Sequence, residues 1–294
     1  MHFNFPIPPN YDEKPLWNKS KFTISGQHLS VIKYTENLSG WNNNLTFFHE
    51  EEAYNGNHYI DKASRNNAIS NLKKSVVSKN PIILEVGSSS GYFLHDLKLT
   101  FTTAFIIGSD CIAEPLEKLA KNVSNIPLIQ FDLNECPLPD NSVDAIVLLN
   151  VLEHIEDDQT AINQLYRILK PNGTVIIEVP ANPDIYDFYD EYLKHYRRYT
   201  LKELIFKSKT SGFTIRKASH LGFFLYPIFM LTKKYGTSKK NLSDIQKQEM
   251  IKQRISYGGK IGNMILTILM NIELMIGNFF SYPIGIRCTI VLKK

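Results

Sequence analysis

Three groups of residues have types and spacings that could do chemistry. The first is Glu85-Val86-Gly87-Ser88-Ser89-Ser90-Gly91, followed by Asp110. Glycines at 87 and 91 let a backbone turn sharply and let a ligand come close to it. Asp110 stands 23 residues after Gly87, the distance at which a carboxylate ending the next strand accepts hydrogen bonds from both ribose hydroxyls of a bound nucleoside. A dinucleotide site would want Gly-x-Gly-x-x-Gly, so that a helix N-terminus receives the pyrophosphate. Here the spacing is Gly-x-x-x-Gly, with the Glu85 carboxylate two residues ahead. That carboxylate repels phosphate and suits a ligand carrying ammonium and sulfonium charges.

The second group is Asn150-Val151-Leu152-Glu153-His154-Ile155. His154 is a candidate general base; read more plainly, Glu153 and His154 begin a helix, with the acid serving its macrodipole. The third group runs from Asp184 to Tyr199 and has six Phe or Tyr rings among 16 residues, ending in His195-Tyr196-Arg197-Arg198-Tyr199. Arginines can fork onto a carboxylate or phosphate, and tyrosines can stack on a sugar or an aromatic ring. His195 is the first candidate for a base, with Tyr196, Arg197, Arg198 and Tyr199 as candidate substrate contacts. The competing reading is a structural lock, in which the arginines pair with Asp184, Asp187, Asp190 or Glu191.

These groups need a scaffold to converge. Asp61 is expected to cap a helix with apolar positions Ile69, Leu72 and Val76, ending near Asn80-Pro81. Apolar runs at Ile82–Val86, 104–108, Val143–Leu149 and 174–179 read as buried parallel strands. Helical patterns at 91–97, 112–122 and 157–169 lie between them, the last stopping at Lys170-Pro171-Asn172-Gly173. Thr200-Leu201-Lys202-Glu203 is a capping-box pattern, and 213–217 and 286–292 read as two more strands. Strands alternating with helices predict a doubly wound, mostly parallel sheet, with ligands outside the carboxyl ends of its strands.

Over residues 61–217 the chain resembles the class I S-adenosylmethionine-dependent methyltransferases. The elements that carry the resemblance occur in order: Ile82 to Gly91, Asp110, and Gln130-Phe131-Asp132-Leu133. Then come 137–144, Asn150 to Ile155, and Arg167 to Gly173. The resemblance implies an α/β fold with a seven-stranded Rossmann-like sheet and S-adenosylmethionine as cofactor. Glu85, Gly87 and Gly91 would wrap its methionine portion and Asp110 would take the ribose hydroxyls. Cys111 or Ile112 would lie against the adenine, Asp132 would accept from the adenine amino group beside Leu133, and Asn150 would lie near the methionine portion. Ser89 stands where the family usually has glycine, and a serine there narrows the approach of the cofactor. Similar His-Tyr-Arg-Arg-Tyr runs occur in methyltransferases of bacterial surface-polysaccharide assembly, which points to a saccharide or anionic small-molecule acceptor methylated at O or N.

The domains expected are an irregular arm or lid (1–60), the cofactor-binding domain (61–222), a helical insertion (223–283) and the last strand (284–294). The chain has 294 residues and a net charge of +4, too small to announce a nucleic-acid binder. From Lys233 to Lys260, eight basic residues face two acids, so this segment carries +6 and the remainder sums to −2. The insertion reads as a helical cap over the acceptor pocket or an interface with a second copy; a peripheral contact with anionic lipid is the alternative. Uncharged apolar stretches fall short of the ~20 residues of a spanning helix, and the first ten residues lack a secretory leader pattern. A cytoplasmic location is expected, with any membrane contact at the inner face. Cys111, Cys136 and Cys288 lack metal-ligand spacing and no other ligand cluster stands out, so a metal-free reaction is expected. A non-catalytic cofactor-binding protein and a nucleic-acid methyltransferase remain as alternatives. Against the latter, no Asn-Pro-Pro-Tyr or Asp-Pro-Pro-Tyr sequence follows 143–149.

Overall fold

A computed structural model describes residues 3–35, 56–123, 125–236 and 259–294. The described part of the arm holds β1 (Leu16–Trp17), β2 (Phe22–Ile24), β3 (Gln27–Leu29) and β4 (Val31–Lys33). Then follow α1 (Tyr59–Ser75), β5 (Ile82–Val86), α2 (Tyr92–Thr100), β6 (Phe105–Asp110), α3 (Ala113–Asn122), β7 (Leu128–Gln130) and β8 (Val143–Leu149). The second half contains α4 (Asp158–Ile168), β9 (Leu169–Pro180), α5 (Phe188–Tyr192), α6 (Leu201–Thr210), β10 (Thr214–Leu221), α7 (Tyr226–Gly236), α8 (Gly259–Ile276) and β11 (Arg287–Lys293).

The main sheet runs β10-β11-β9-β8-β5-β6-β7-β4. β11 is antiparallel to both neighbours, and the other pairings are parallel. The order reverses at β5, flanked by β6 and β8, so the crevice at the carboxyl ends of β5 and β8 is the switch point where ligands bind. The central strands are apolar on both faces because helices cover both. Leu72, Leu94, Leu97, Leu116 and Leu119 of α1, α2 and α3 pack with Ile83 and Val147 on one side. Ile162 and Leu165 of α4 and Leu204 of α6 pack with Leu84 and Ile146 on the other.

Four expectations are corrected. The sheet has eight strands, because β4 adds to the edge beside β7, and the arm is partly ordered: β1, β2 and β3 form a small antiparallel sheet whose Phe22 joins the main core with Phe5 and Ile32. Asp61 does not cap α1, which begins at Tyr59 and ends at Ser75; it sits in the first turn and pairs with Arg287 at 2.8 Å. Residues 170–173 do not end a helix in a turn outside the sheet. They bulge from β9, whose partners on β8 jump from Val143↔Leu169 to Ala145↔Thr174.

Helix α8 runs along α1. Tyr59 N donates to Asn263 Oδ1 (3.0 Å) at one end, and Lys74 Nζ donates to Asn278 Oδ1 (2.6 Å) at the other. Its inner face packs Met270, Leu266 and Leu269 on Ile60, Ala63, Leu221 and Leu225. The buried Glu273 carboxylate accepts from Gly222 N (2.6 Å) and Phe224 N (3.1 Å), so the one charge that interrupted the apolar run in sequence is tucked inward. By length and composition α8, at 18 residues and a mean hydropathy of 1.3, is sufficient to cross a membrane, and only 11% of it is buried. Residues 237–258, with five of the eight basic residues of the +6 segment, lie outside the described residues.

Candidate active site

The loop after β5 hangs from β6: Gly87 N and Ser88 N both donate to Ser109 O at 2.8 Å. Gly87 has φ +83°, and a Cβ there would stand 2.5 Å from Val151 Cγ2. Gly91 opens α2 at φ +76°, where a Cβ would meet Leu119 Cδ1 at 2.2 Å. Both positions therefore require glycine, for conformation and for space. Ser89 also adopts a left-handed φ of +37°, which a side chain resists. Its N–H donates to Asp110 Oδ2 (3.1 Å), and Ile112 N donates to Asp110 Oδ1 (3.1 Å). These bonds fix the carboxylate at the end of β6. Desolvation raises the pKa of Asp110, against the pull of those N–H groups.

Glu85 is 6% exposed. Desolvation lifts its pKa to about 8, opposed by the Ser88 hydroxyl and reinforced by Asp110 and Asp96. A buried carboxyl this reluctant to ionise, beside a glycine-lined cradle, fits a ligand that brings positive charge. A carboxylate also has lone pairs beyond those its backbone donors use, so Asp110 retains capacity for ribose hydroxyls. S-adenosylmethionine meets both requirements.

The other expected cofactor contacts are placed unevenly. Cys111 is half-buried next to Asp110, its carbonyl accepting from Gln130 Nε2 (3.1 Å), and burial pushes its thiol well up, so it stays neutral. Asp132 uses Oδ1 to cap the turn Leu133–Glu135 through Asn134 N (2.9 Å); the adenine contact would fall to its other oxygen. Leu133 is 3% exposed and packs into the core, so it backs the site instead of lining it. Asn150 leaves β8 at φ +56° with its N–H on Glu178 O (2.8 Å), and the next residue, Val151, is the one that closes on Gly87. A cavity of about 600 Å³ adjoins the end of β6, lined by Pro9, Asn10, Lys33, Tyr34, Thr35, Ala113 and Gln130. The arm thus forms a wall of this cavity, a role its short strands did not announce.

The third group folds back on itself. Asp187 caps α5, and Asp190 returns the bond to Asp187 N (3.1 Å). This sets the Asp190 carboxylate, fully buried, where Arg198 Nε reaches both its oxygens (2.8 and 2.9 Å) and His195 Nδ1 lies 3.0 Å from Oδ1. Arg197 Nη1 meets Asp158 Oδ1 at 3.1 Å; Tyr199, also buried, donates its hydroxyl to Asp158 Oδ2 at 2.8 Å. Arg197, Arg198 and Tyr199 are therefore the lock and not the substrate grip, because buried carboxylates of the chain itself claim them. Tyr196, at 54% exposure, keeps its side chain toward solvent.

The lock carries the two histidines to one place. Tyr196 N donates to Glu153 O (2.8 Å), joining the third group to the second, and the His154 and His195 rings meet edge-on with centroids 4.7 Å apart. Glu153, passed over in sequence as a helix-start acid, is fully buried at 0% exposure. Desolvation raises its pKa to about 8. One ligand atom each from Glu153, His154 and His195 lie within 4.8 Å of one another. No such grouping stands out in the sequence, because residues 153–154 and 195 are brought together only by the fold. The signal available was the Glu-His pair at a strand's carboxyl end.

Comparison with known proteins agrees with this geometry. The family described as "Methyltransferase domain" matches residues 84–177, from within β5 to within β9. A protein of Mycolicibacterium smegmatis, described as a probable S-adenosylmethionine-dependent methyltransferase, is 28% identical over 135 residues, covering 45% of this chain and 52% of that one. A ubiquinone/menaquinone biosynthesis C-methyltransferase of Pseudoalteromonas translucida is 36% identical over 73 residues, 23% of this chain and 29% of that one. The chain thus spans about half or less of the length of these curated relatives. Among solved structures, the phosphoethanolamine N-methyltransferase 2 of Haemonchus contortus in complex with S-adenosyl-L-methionine shares the fold at a TM-score of 0.52 and 17% identity, covering 87% of this chain and 58% of that one. Residues 84–177 are thus similar to a methyltransferase domain, and the glycine cradle with its two buried carboxyls, which lies inside that stretch at the switch-point crevice, is the part of the chain that fits S-adenosylmethionine.

Proposed function

We propose that this chain transfers the methyl group of S-adenosylmethionine to an oxygen or nitrogen of a small-molecule or saccharide acceptor held at the carboxyl ends of β8 and β9. The observation that carries the reading is the buried His195–Asp190–Arg198 chain beside His154. Arg198 and His195 both lie on the Asp190 carboxylate; a proton on His195 Nδ1 would be donated to it, and Nε2 would then be the ring's accepting nitrogen. Methyl transfer is a direct displacement. The acceptor forms the new bond to carbon as the carbon–sulfur bond breaks, its electron pair staying on sulfur. The enzyme's contribution is alignment and exclusion of water, plus a destination for the acceptor's proton at the histidine cluster. Tyr196 offers the acceptor an exposed ring.

Relatives named for quinone C-methylation put a carbon acceptor into the same test. S-adenosylhomocysteine release is measured with sugars, nucleotide sugars, phenols, quinols and nucleic acids. Turnover with a hydroxyl or amine acceptor, and its loss in His195→Gln, is expected. Turnover of nucleic acid or of a quinol alone would replace the acceptor; cofactor binding with no turnover on any of them would favour the non-catalytic reading.

The outer face of α8 suggests where the acceptor is met. Ile261, Ile265, Ile268, Ile272 and Met275 are exposed and recur every three or four residues, so they form one stripe. The stripe continues from the segment that carries +6, and the combination of apolar stripe and basic charge suits the surface of a bilayer containing acidic lipid. Sedimentation with phosphatidylglycerol vesicles is expected, with loss in Ile265→Glu/Ile272→Glu. Equal binding to neutral vesicles, or a dimer in solution that hides the stripe, would overturn this docking.

A further inference from the structure

We propose that Glu153, His154 and His195 bind one divalent first-row transition-metal ion, with Zn²⁺ the best match, beside the cofactor. Two segments far apart in sequence converge here, tied by the Tyr196 N to Glu153 O hydrogen bond, and each of the three side chains brings one ligand atom to within 4.8 Å of the others. Zinc bonds to nitrogen and oxygen of about 2.0–2.2 Å set tetrahedral ligands roughly 3.4 Å apart, so the side chains close on the ion by rotamer adjustment.

The strongest sign is Glu153. It is fully buried, yet neither carboxylate oxygen meets a hydrogen-bond donor from another residue. A buried carboxyl without a partner is costly. The guanidiniums that could serve it are committed elsewhere. Arg198 holds Asp190 and Ala181 O, while Arg287 holds Asp61, Glu178 and Ser64. A cation supplies the missing charge. His195 in turn has the outer support that metal-bound imidazoles have: Nδ1 on Asp190, and Asp190 gripped by Arg198, which fixes the ring and raises the basicity of Nε2.

The donor set selects the ion. Two imidazoles and one carboxylate suit zinc or ferrous iron, whereas magnesium and calcium prefer oxygen ligands throughout. Three protein ligands leave a position open, and the site begins three residues after Asn150, at the mouth of β8. The open position would take an acceptor oxygen. This part rests on the methyl-transfer reading and narrows its acceptor to one carrying a hydroxyl; with the ion bound, His195 Nε2 would be a ligand and no longer a proton acceptor, and the hydroxyl proton would be lost on binding to the ion.

The test uses the full chain, stripped with chelator and titrated with Zn²⁺ and with Co²⁺, alongside separate titrations with S-adenosylhomocysteine. One ion per chain is expected, with visible Co²⁺ absorption of four- or five-coordinate character. Glu153→Gln and His154→Gln should each weaken the ion by about tenfold or more and leave S-adenosylhomocysteine affinity unchanged. Wild type that binds S-adenosylhomocysteine but shows no Co²⁺ spectrum overturns the metal site and leaves the methyltransferase reading standing. Binding unaffected by Glu153→Gln in a variant with the wild-type melting curve overturns it equally. Wild type that takes the ion and not S-adenosylhomocysteine defeats the methyltransferase reading instead.

Discussion

Glu85 makes cofactor binding depend on pH in a way that can be worked from its surroundings. Its pKa rises from the ordinary 4.5 to about 8, with desolvation as the main cause, Ser88 opposing, Asp110 and Asp96 adding and Arg65 opposing weakly. That rise corresponds to about 5 kcal/mol, as an order of magnitude, against the charged form in the empty site. The folded state therefore binds more protons than the unfolded chain between about pH 4.5 and 8, and the stability of the cofactor-free protein falls as pH rises through that window. Binding follows the opposite trend. A cofactor that arrives with an ammonium and a sulfonium wants the carboxylate, and at pH 7 only about one site in ten has it ionised. The expected dissociation constant for S-adenosylmethionine falls about tenfold per pH unit between roughly 5.5 and 7, a range below the ligand's own α-amino pKa. Close to one proton is released per cofactor bound at pH 7, read by titration calorimetry in buffers of different ionisation enthalpy. Glu85→Gln should abolish both the slope and the proton release. A flat profile for the wild type refutes the reasoning, and an unchanged slope in Glu85→Gln moves the titration to Asp110.

Three further outcomes follow from the geometry. Ser89→Gly relieves a left-handed side chain worth about 1–2 kcal/mol at an entropic cost of about 0.5–1 kcal/mol, so the urea midpoint should rise slightly without loss of cofactor affinity. Gly91→Ala puts a side chain at φ +76° and its Cβ 2.2 Å from Leu119 Cδ1; the Leu119 side chain must move and the left-handed turn is strained, and cofactor affinity should drop more than the melting temperature. Asp190→Asn strands the buried Arg198 guanidinium, a change that typically costs about 3–5 kcal/mol, and thermal unfolding should show it. Asp190→Asn combined with Arg198→Met should recover part of the loss, and no recovery would refute the pairing as the cause.

The sheet was legible in the sequence because parallel strands covered on both faces have to be apolar throughout, and Ile82–Val86 and Val143–Leu149 are so written. The cradle was legible because only glycine tolerates what Gly87 and Gly91 must do. β4 was not, since three residues carry no period and its pairing with β7 is a contact across nearly a hundred positions. The same limit hid the arm's wall of the cavity at the end of β6, built from Pro9, Asn10 and residues 33–35 against Ala113 and Gln130.

Residues 184–199 show where composition stops deciding. The sequence displays four acids and two arginines in one short segment, which serve a lock and a substrate grip equally well. Burial decides between them. Asp190 is fully buried within α5, so its charge must be answered from within the chain, and Arg198 answers it; Asp158 claims Arg197 and Tyr199 for the same reason. The same pairing orients His195, since its Nδ1 partner is the carboxylate that Arg198 holds. On the proposed reading the lock and the reactive group are then one device: the arginine that looked like a hand for the substrate instead sets, through Asp190, how the His195 ring faces.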